Sequence, residues 1–192
     1  MPTLGRCPTS ASKDWCTPPR IVEAVREFFC GVIELDPCSN PHSVVNACMS
    51  YSLPHLDGLK EQWLARYVFV NPPYGRDAAR GTSIYDWLRK CAVTHEQYGN
   101  EIIALVPVAT NTIHWKHFVF PRAAAICFLA DTRLKFLVDG KPSRKGAPMA
   151  CALVYWGNRP HDFKEHFSES FGAVLLIGNS QPPPELRQQA TL

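Results

Sequence analysis

Hydrophobic and polar positions alternate along this chain in blocks that predict helices separated by short buried strands. Apolar residues recur at helical spacing over residues 21–29, directly after Thr17, Pro18 and Pro19, so Thr17 is the predicted N-cap of a first helix. Further helices are predicted at residues 84–98 and 114–120, and buried strands at residues 32–35, 67–70, 101–106 and 123–129. The segment between residues 38 and 66 is rich in turn formers and is predicted to be mostly loop.

The order of these elements predicts the fold class. Strands that alternate with helices favour an α/β architecture, in which a mostly parallel sheet carries helices on both faces. Residues 133–138 and 149–156 flank a loop of glycine, proline and lysine, which predicts a C-terminal antiparallel hairpin. We expect one domain over residues 14–180, with a flexible arm at residues 1–13 and a flexible tail at residues 181–192.

Composition adds that the protein is an ordinary globular one. Of its 192 residues, 46% are hydrophobic and 19% are charged, a balance that excludes an intrinsically disordered chain. The apolar stretches are far shorter than the ~20 residues that span a bilayer, and no secretory signal is recognisable, so we expect a cytoplasmic protein without membrane contact. The eight cysteines form no Cys-x-x-Cys pair and the histidines lack ligand spacing, so neither disulfides nor a metal site is predicted.

The net charge of +3 is distributed unevenly. Residues 116–145 contain seven basic and two acidic side chains, a local excess of +5. Such a segment attracts polyanions, although solvated lysine and arginine are also common on protein surfaces. The candidates for contact with nucleic-acid phosphates are Arg76, Arg80, Lys141, Arg144 and Lys145. The first two equally suit ion pairs with Asp77 and Asp86.

The segment Asn71-Pro72-Pro73-Tyr74-Gly75 carries the clearest chemical signal, because it follows a predicted buried strand. The two prolines lack N–H groups and have a fixed φ, so they end the strand in a rigid extended turn. This turn presents the side-chain carbonyl of Asn71 beside the main-chain carbonyl of Pro72, and two such acceptors suit an amino group with two hydrogens. Tyr74 can stack on an aromatic plane. An ordinary Asn-Pro turn is the alternative.

Two fixed acceptors would activate an exocyclic amine, whose lone pair is otherwise delocalised into its ring. When both N–H groups donate hydrogen bonds, the negative charge on the nitrogen increases. Its attack on a sulfonium methyl group is then an in-line displacement stabilised by fixed dipoles. Asp36 follows the predicted strand at residues 32–35 as Asn71 follows that at residues 67–70. Ligands of parallel sheets bind beyond the carboxyl ends of the strands, so the two loops are predicted to form one site.

The Asn71–Gly75 motif, with Leu35-Asp36-Pro37 and Asp57-Gly58-Leu59 before it, resembles the phage-type DNA N6-adenine methyltransferases. The resemblance covers roughly residues 14–157. It implies a compact Rossmann-like methyltransferase fold, S-adenosylmethionine as the cofactor and double-stranded DNA as the partner. It also implies the residues that hold the flipped target adenine: Asn71, Pro72, Pro73 and Tyr74. Asn71 and Pro72 would accept hydrogen bonds from the adenine amino group, and Tyr74 would stack on the base.

The same resemblance implies five cofactor-binding residues: Thr17, Pro18, Asp36, Pro37 and Asp57. Asp36 and Pro37 resemble the acidic-proline signature near the methionine moiety, and Asp57 resembles the acidic residue that meets the cofactor's adenine. Both aspartates are also compatible with simple turns. Residues 148–156 resemble the strand that flanks the target-base pocket. The sequence lacks the Gly-x-Gly signature of larger methyltransferases, and the residue that binds the ribose is not assigned.

Three functions are compatible with these residues. The first is methylation of adenine N6 in DNA, and the second is N-methylation of a protein glutamine or another amide or amine. The third is a catalytically inactive nucleic-acid-binding module of the same fold. The basic segment favours DNA over a protein substrate, because an enzyme that extrudes a base must also hold the duplex. The intact motif favours an enzyme over a binding module.

Overall fold

The chain folds around a seven-stranded sheet with helices packed on it. The computed structural model describes residues 15–130, 133–138, 140–143 and 146–178, so the predicted arm and tail lie outside the described residues. The elements in chain order are β1 (Trp15–Cys16), α1 (Pro19–Phe28), β2 (Leu35–Asp36), β3 (Met49–Ser50), β4 (Tyr67–Val70), α2 (Ile84–Tyr98), β5 (Glu101–Pro107), a π-helix (Trp115–Val119), β6 (Ala125–Leu129), β7 (Leu137–Val138), β8 (Lys141–Pro142), β9 (Cys151–Trp156), α3 (Pro160–Ser168) and β10 (Gly172–Leu176).

The strand order of the large sheet is β10-β6-β9-β5-β4-β2-β3. Strands β3, β2, β4 and β5 pair in parallel, while β9 is antiparallel to both β5 and β6, which therefore run in the same direction. The edge strand β10 is antiparallel to β6. Five of the seven strands thus share one direction, and the predicted mostly parallel sheet is confirmed.

Helices cover both faces of the sheet, as the alternation of strands and helices predicts. Successive side chains of β4 point to opposite faces, so Tyr67 and Phe69 join one apolar cluster while Val68 and Val70 join the other. The first cluster contains the apolar sides of α1 and α3, and the second contains those of α2 and the π-helix. None of the described helices is both long and apolar enough to cross a membrane.

The predicted start of the first helix is wrong by one residue. The N-cap of α1 is Pro18, in an extended conformation, and no side chain caps the helix. Two successive prolines explain the difference, because Pro19 takes the first helical position and disfavours helical backbone in the residue before it. Thr17 is displaced from the cap, and its buried hydroxyl has no hydrogen-bond partner among the described residues.

The predicted C-terminal hairpin between residues 133–138 and 149–156 is also wrong. β9 lies between β5 and β6 in the large sheet, and all six of its residues are buried. A strand that is apolar on both faces needs a central place, which a hairpin arm at an edge does not provide. β7 pairs instead with β1 and β8 in a separate three-stranded sheet. The elements α3 and β10 were not predicted.

Candidate active site

Asn71 begins the turn that follows β4, at the carboxyl end of the sheet. Its side-chain nitrogen donates a hydrogen bond to the carbonyl oxygen of Trp15 in β1, at 3.3 Å. The amide oxygen Oδ1 accepts a hydrogen bond from the Tyr74 hydroxyl, also at 3.3 Å. A carbonyl oxygen has two lone pairs, so Oδ1 can accept a second donor. Strand β1 therefore fixes the orientation of the amide that is predicted to hold the substrate.

Tyr74 is held by its hydroxyl and by its ring. The hydroxyl lies 3.2 Å from the carbonyl oxygen of Leu105 in β5, in addition to its contact with Asn71. The ring meets Phe136 edge-on, with 5.9 Å between the centroids, and Phe136 packs on Trp15 at 5.5 Å. Aromatic side chains from three distant segments thus pack side by side next to the turn. The Tyr74 ring stays half-buried, so part of it is open to a ligand.

The two prolines of the turn differ in exposure. Pro72 is buried and Pro73 is exposed. No described residue donates a hydrogen bond to the carbonyl oxygen of Pro72. The structure therefore leaves the two acceptors predicted from the motif, on Asn71 and Pro72, with capacity for a further donor.

Asp36 ends β2 as a buried carboxylate, with a residue exposure of 3%. The backbone N–H of Cys38 donates to Oδ1 at 3.2 Å and the hydroxyl of Ser43 donates to Oδ2 at 3.1 Å. No described cation forms an ion pair with it. Burial outweighs these hydrogen bonds and raises the pKa of Asp36 to about 6. A buried carboxylate without a cation is energetically costly, and a ligand that brings donors or positive charge would be stabilised there.

Cys38 connects the loop after β2 to the loop after β4. The backbone N–H of Asn71 donates to the Cys38 thiol, and the charge of Asp36 acts on the same thiol. Desolvation and, second, that charge raise the pKa of Cys38 well above its ordinary value. The two loops therefore meet at one edge of the sheet, as the predicted parallel strands require.

Asp57 lies on a turn that packs against the end of β2. A Cβ atom on Gly58 would lie only 1.7 Å from the carbonyl oxygen of Pro37, so the turn approaches this closely only because residue 58 is glycine. Oδ1 of Asp57 accepts hydrogen bonds from the backbone N–H of Leu59 at 3.0 Å and from the guanidinium of Arg80 at 2.5 Å. The structure brings Asp36, Pro37 and Asp57 into one region.

A comparison with known protein families decides what this arrangement belongs to. Residues 5–168 match the family described as DNA N-6-adenine-methyltransferase (Dam). The chain belongs to the Dam family. No curated protein and no solved structure matches the chain. The Dam match covers most of the chain, including every strand that contributes to the site, and the largely parallel seven-stranded sheet is consistent with a methyltransferase fold.

The family match answers the question of substrate that the sequence left open. Dam family enzymes methylate adenine N6 in DNA, so the target amine is that of a DNA base rather than that of a protein amide. It also identifies the chain as an enzyme and not only as a binding module. Within the described residues no group of three or more potential metal-ligating side chains comes together.

The loops around Asp36 fit a cofactor rich in hydrogen-bond donors. Thr17 has a residue exposure of 2%, and its hydroxyl lacks a partner among the described residues. The carboxylate of Asp36 is buried without a described cation, and Asp57 has no described donor on Oδ2. Unmet acceptors of this kind suit amino, ammonium and hydroxyl groups, which S-adenosylmethionine carries. The residues present therefore fit S-adenosylmethionine, the methyl donor that a methyltransferase family implies.

The five candidate DNA contacts differ in what the structure shows of them. Arg76 and Lys141 are exposed, and no ion pair of either is described. Arg80 is ion-paired with Asp57 at 2.5 Å and with Asp77 at 4.0 Å. Of the two predicted partners of Arg80, only Asp77 is near it, since Asp86 instead caps α2 together with Ser83. Arg144 and Lys145 lie outside the described residues.

Sequence reasoning missed the residues that support the site from a distance. Trp15 orients Asn71 through its backbone, Ser43 donates to Asp36, and Phe136 packs on Tyr74. No local pattern identifies Ser43 or Phe136, because their partners are brought near by the fold. Trp15 offered one signal, which is a large aromatic residue directly before a predicted helix in a segment already matched to the cofactor site.

Proposed function

We propose that this enzyme transfers the methyl group of S-adenosylmethionine to adenine N6 in double-stranded DNA, with Asn71, Pro72, Pro73 and Tyr74 as the target pocket. Thr17, Pro18, Asp36, Pro37 and Asp57 are the proposed cofactor-binding residues. When bound, S-adenosylmethionine supplies a sulfonium methyl group that is open to nucleophilic attack. The remaining contributions come from the chain itself.

The turn after β4 binds and activates the target amine in this proposal. Oδ1 of Asn71 and the carbonyl oxygen of Pro72 accept its two N–H groups, which increases the electron density on N6 as it attacks. Both acceptors are fixed before substrate arrives, the first by the Trp15 carbonyl and the second by the rigid proline pair. Acceptors that need no reorganisation are effective at stabilising developing positive charge on the attacking nitrogen.

Tyr74 binds the plane of the target base in the same proposal. Base stacking on an aromatic ring contributes ~1–3 kcal/mol in nucleic-acid sites, and a base must leave the duplex to reach the turn. The Phe136 and Leu105 contacts hold the ring in place, so little side-chain entropy is lost when a base binds. The target is then held near the donor, which is the positioning that displacement reactions require.

Asp36 and Asp57 bind the cofactor on the neighbouring side of the site. A positively charged ligand beside Asp36 favours the ionised carboxylate, so binding would lower the raised pKa of that group. Thr17, whose hydroxyl is buried and without a described partner, gains a hydrogen bond when the donor binds. The phosphates of the duplex are bound by the exposed Arg76 and Lys141 and by two further basic residues that lie outside the described part of the chain, Arg144 and Lys145.

The observation that carries this proposal is that two acceptors with capacity for further donors, the Asn71 amide oxygen and the Asp36 carboxylate, lie at the same edge of the sheet. The side-chain amide of Asn71 is oriented by β1, and the Cys38 thiol contacts both the backbone N–H of Asn71 and the buried Asp36 carboxylate. A target amine and a methyl donor can therefore bind side by side at the carboxyl ends of β4 and β2. Parallel sheets bind their ligands at this edge.

The direct test incubates the protein with methyl-labelled S-adenosylmethionine and unmethylated duplex DNA, and identifies the labelled nucleoside by mass spectrometry. We expect N6-methyladenine. Tyr74→Ala should lower the rate about a hundredfold, since it removes the stacking surface, and Tyr74→Phe should stay within about tenfold of wild type. Label on cytosine or on the protein, or equal loss in the two variants, would contradict the proposed pocket.

A further inference from the structure

Arg80 forms an ion pair that no sequence pattern indicates. Its guanidinium Nη2 lies 2.5 Å from Oδ1 of Asp57, 23 residues earlier in the chain. Both side chains are largely shielded, with exposures of 23% for Arg80 and 16% for Asp57. A shielded, charge-assisted hydrogen bond of this kind is stronger than an exposed surface pair. The guanidinium therefore pairs chiefly with Asp57, and the carboxylate of Asp77 lies farther from it, at 4.0 Å.

The backbone around Arg80 is built to hold that arrangement. Asp77 and Thr82 exchange two backbone hydrogen bonds, at 2.8 and 3.2 Å, which close a tight loop directly after the Asn71–Gly75 turn. Oδ1 of Asp77 accepts from the backbone N–H groups of Ala79 and Arg80, at 3.1 and 3.2 Å. Gly81 supplies the positive φ of 67° that the loop needs. Arg80 therefore reaches Asp57 from a fixed base.

The turn that carries Asp57 is fixed from a second side. Lys90, on α2, donates from Nζ to the carbonyl oxygen of Leu59 at 2.8 Å and to that of Glu61. The indole N–H of Trp63 donates to the carbonyl oxygen of Gly58 at 2.8 Å. These contacts and the close approach of Gly58 to the end of β2 fix the backbone of the turn. Among the described side chains, Arg80 alone orients the carboxylate of Asp57.

We propose that Arg80 is a positioning residue for cofactor binding, which acts through Asp57, and not a ligand of DNA phosphate. This inference rests on the proposed cofactor role of Asp57. With Oδ1 held by Arg80 and by the Leu59 N–H, Oδ2 has no donor among the described residues and is aimed as an acceptor for the exocyclic amine of the cofactor's adenine. The loop that follows the catalytic turn thereby supports the cofactor site as well.

The test compares Arg80→Ala with Arg76→Ala, a control four residues away in the same loop region. S-adenosylhomocysteine affinity is measured by calorimetry without DNA, and DNA affinity is measured across a salt series. Arg80→Ala should weaken cofactor-product binding about tenfold and leave the salt slope unchanged. Arg76→Ala should leave S-adenosylhomocysteine affinity at the wild-type value and flatten the salt slope by about 0.9 units.

A double-mutant cycle distinguishes positioning from a general loosening of the fold. Once Asp57→Asn has weakened S-adenosylhomocysteine binding, adding Arg80→Ala should cause little further loss, because both changes remove one interaction. Arg80→Lys should recover part of the affinity because it restores the charge, and in steady state Arg80→Ala should raise the cofactor KM with kcat nearly unchanged. Circular dichroism confirms that each variant is folded.

Each result decides the proposal. Wild-type affinity in Arg80→Ala, or fully additive losses in the cycle, would overturn the positioning role while leaving the proposed function in place. A flattened salt slope in Arg80→Ala would make Arg80 a phosphate ligand. If the wild-type protein binds no S-adenosylhomocysteine and Asp57→Asn changes no kinetic constant for the cofactor, the proposed cofactor site itself fails, and the inference fails with it.

Discussion

Two carboxylates are almost equally buried at opposite ends of the same sheet, and their surroundings differ. Glu101 begins β5 and has a residue exposure of 6%, while Asp36 ends β2 with an exposure of 3%. The guanidinium of Arg159 donates to Glu101 at 2.8 Å, and the Tyr155 hydroxyl donates to it at 2.6 Å. Among the described residues, Asp36 has only uncharged donors around it: the N–H and thiol of Cys38 and the hydroxyls of Ser43 and Ser39.

The difference shows which end of the molecule is built for stability and which for binding. At the Glu101 end, the charge is compensated inside the chain, and Arg159 also lies 4.5 Å above the ring of Phe28. Hydrogen bonding to Glu101 raises the pKa of Arg159, so the guanidinium stays charged. At the other end, burial raises the pKa of Asp36 to about 6, and no described cation balances the charge of its carboxylate. A ligand can supply that balancing charge. Thr17, whose buried hydroxyl has no described partner, and Asn71, whose Oδ1 can accept a second donor, lie at this second end. The Glu101 end has one unmet acceptor among the described residues, the buried Oδ1 of Asn100.

The largest effect should come from breaking the binding end at its acceptor. Asn71→Ala removes the amide oxygen that is proposed to hold the target amine, so methyl transfer should fall ~10²–10³-fold, as for other fixed transition-state contacts. The free energy of unfolding and the affinity for S-adenosylhomocysteine should change little. Asn158→Ala, at an exposed asparagine just after β9, is the control and should keep the wild-type rate. Comparable rates for the two variants would show that Asn71 is only a turn residue.

Breaking the compensated end should instead cost stability. Glu101→Gln leaves the guanidinium of Arg159 partly buried without its counterion, and we expect the free energy of unfolding to fall by about 3 kcal/mol in a urea titration. This is the low end for buried pairs because the Arg159 side chain keeps 30% of its exposure. The comparison variant is Glu96→Gln, which removes the ion pair with Arg122. The Glu96 side chain is 52% exposed against 8% for Glu101, so we expect the smaller loss there, ~1 kcal/mol. Equal losses would remove the distinction between the two pairs.

The third prediction uses the raised pKa of Asp36. Because the folded-state pKa of about 6 exceeds the ordinary 3.8, ionising this group destabilises the fold, and the penalty grows as pH rises from about 4 to 7. Asp36→Asn removes the penalty, so the variant should be more stable than wild type by about 3 kcal/mol at pH 8 and nearly equal to it at pH 4. Urea titrations at the two pH values measure the difference. A constant difference, or a destabilised variant at pH 8, would contradict it.

These contrasts also explain which parts of the fold the sequence could predict. Strand β4 and helix α2 were predicted with the bounds that the structure has, because the first is a short apolar run and the second has apolar residues at helical spacing. Sequence alone could propose site residues where the chemistry is local, as in the turn from Asn71 to Tyr74. Prolines and an amide in consecutive positions specify their own geometry.

The rest depends on contacts between distant segments. The central position of β9 could not be inferred from its neighbours in the chain, since an apolar strand pairs where its two faces can be buried. The contact of Asn71 with Trp15 spans 56 residues and that of Arg80 with Asp57 spans 23. Neither partner carries a pattern that specifies the other, so the orientation of the site residues is a property of the fold and not of the motif.

The smallest effect should come from the DNA surface, which belongs to the binding end. The turn between β7 and β8 approaches the loop after β2, because a Cβ atom on Gly140 would lie 3.9 Å from Nδ1 of His42. Lys141 next to it is exposed, and each phosphate that it neutralises releases counterions. Lys141→Gln should therefore flatten the log–log dependence of DNA affinity on salt by about 0.9 units, equally on every sequence. Combining it with Arg144→Gln and Lys145→Gln should flatten the slope by up to ~2.7 units.

The control for this prediction is Lys164→Gln, on α3 beside the Glu101 end of the sheet, which should not change the slope. If Lys164 changes it and Lys141 does not, DNA lies across the end of the sheet that carries Glu101, and the division of the molecule into a stabilising and a binding end is wrong.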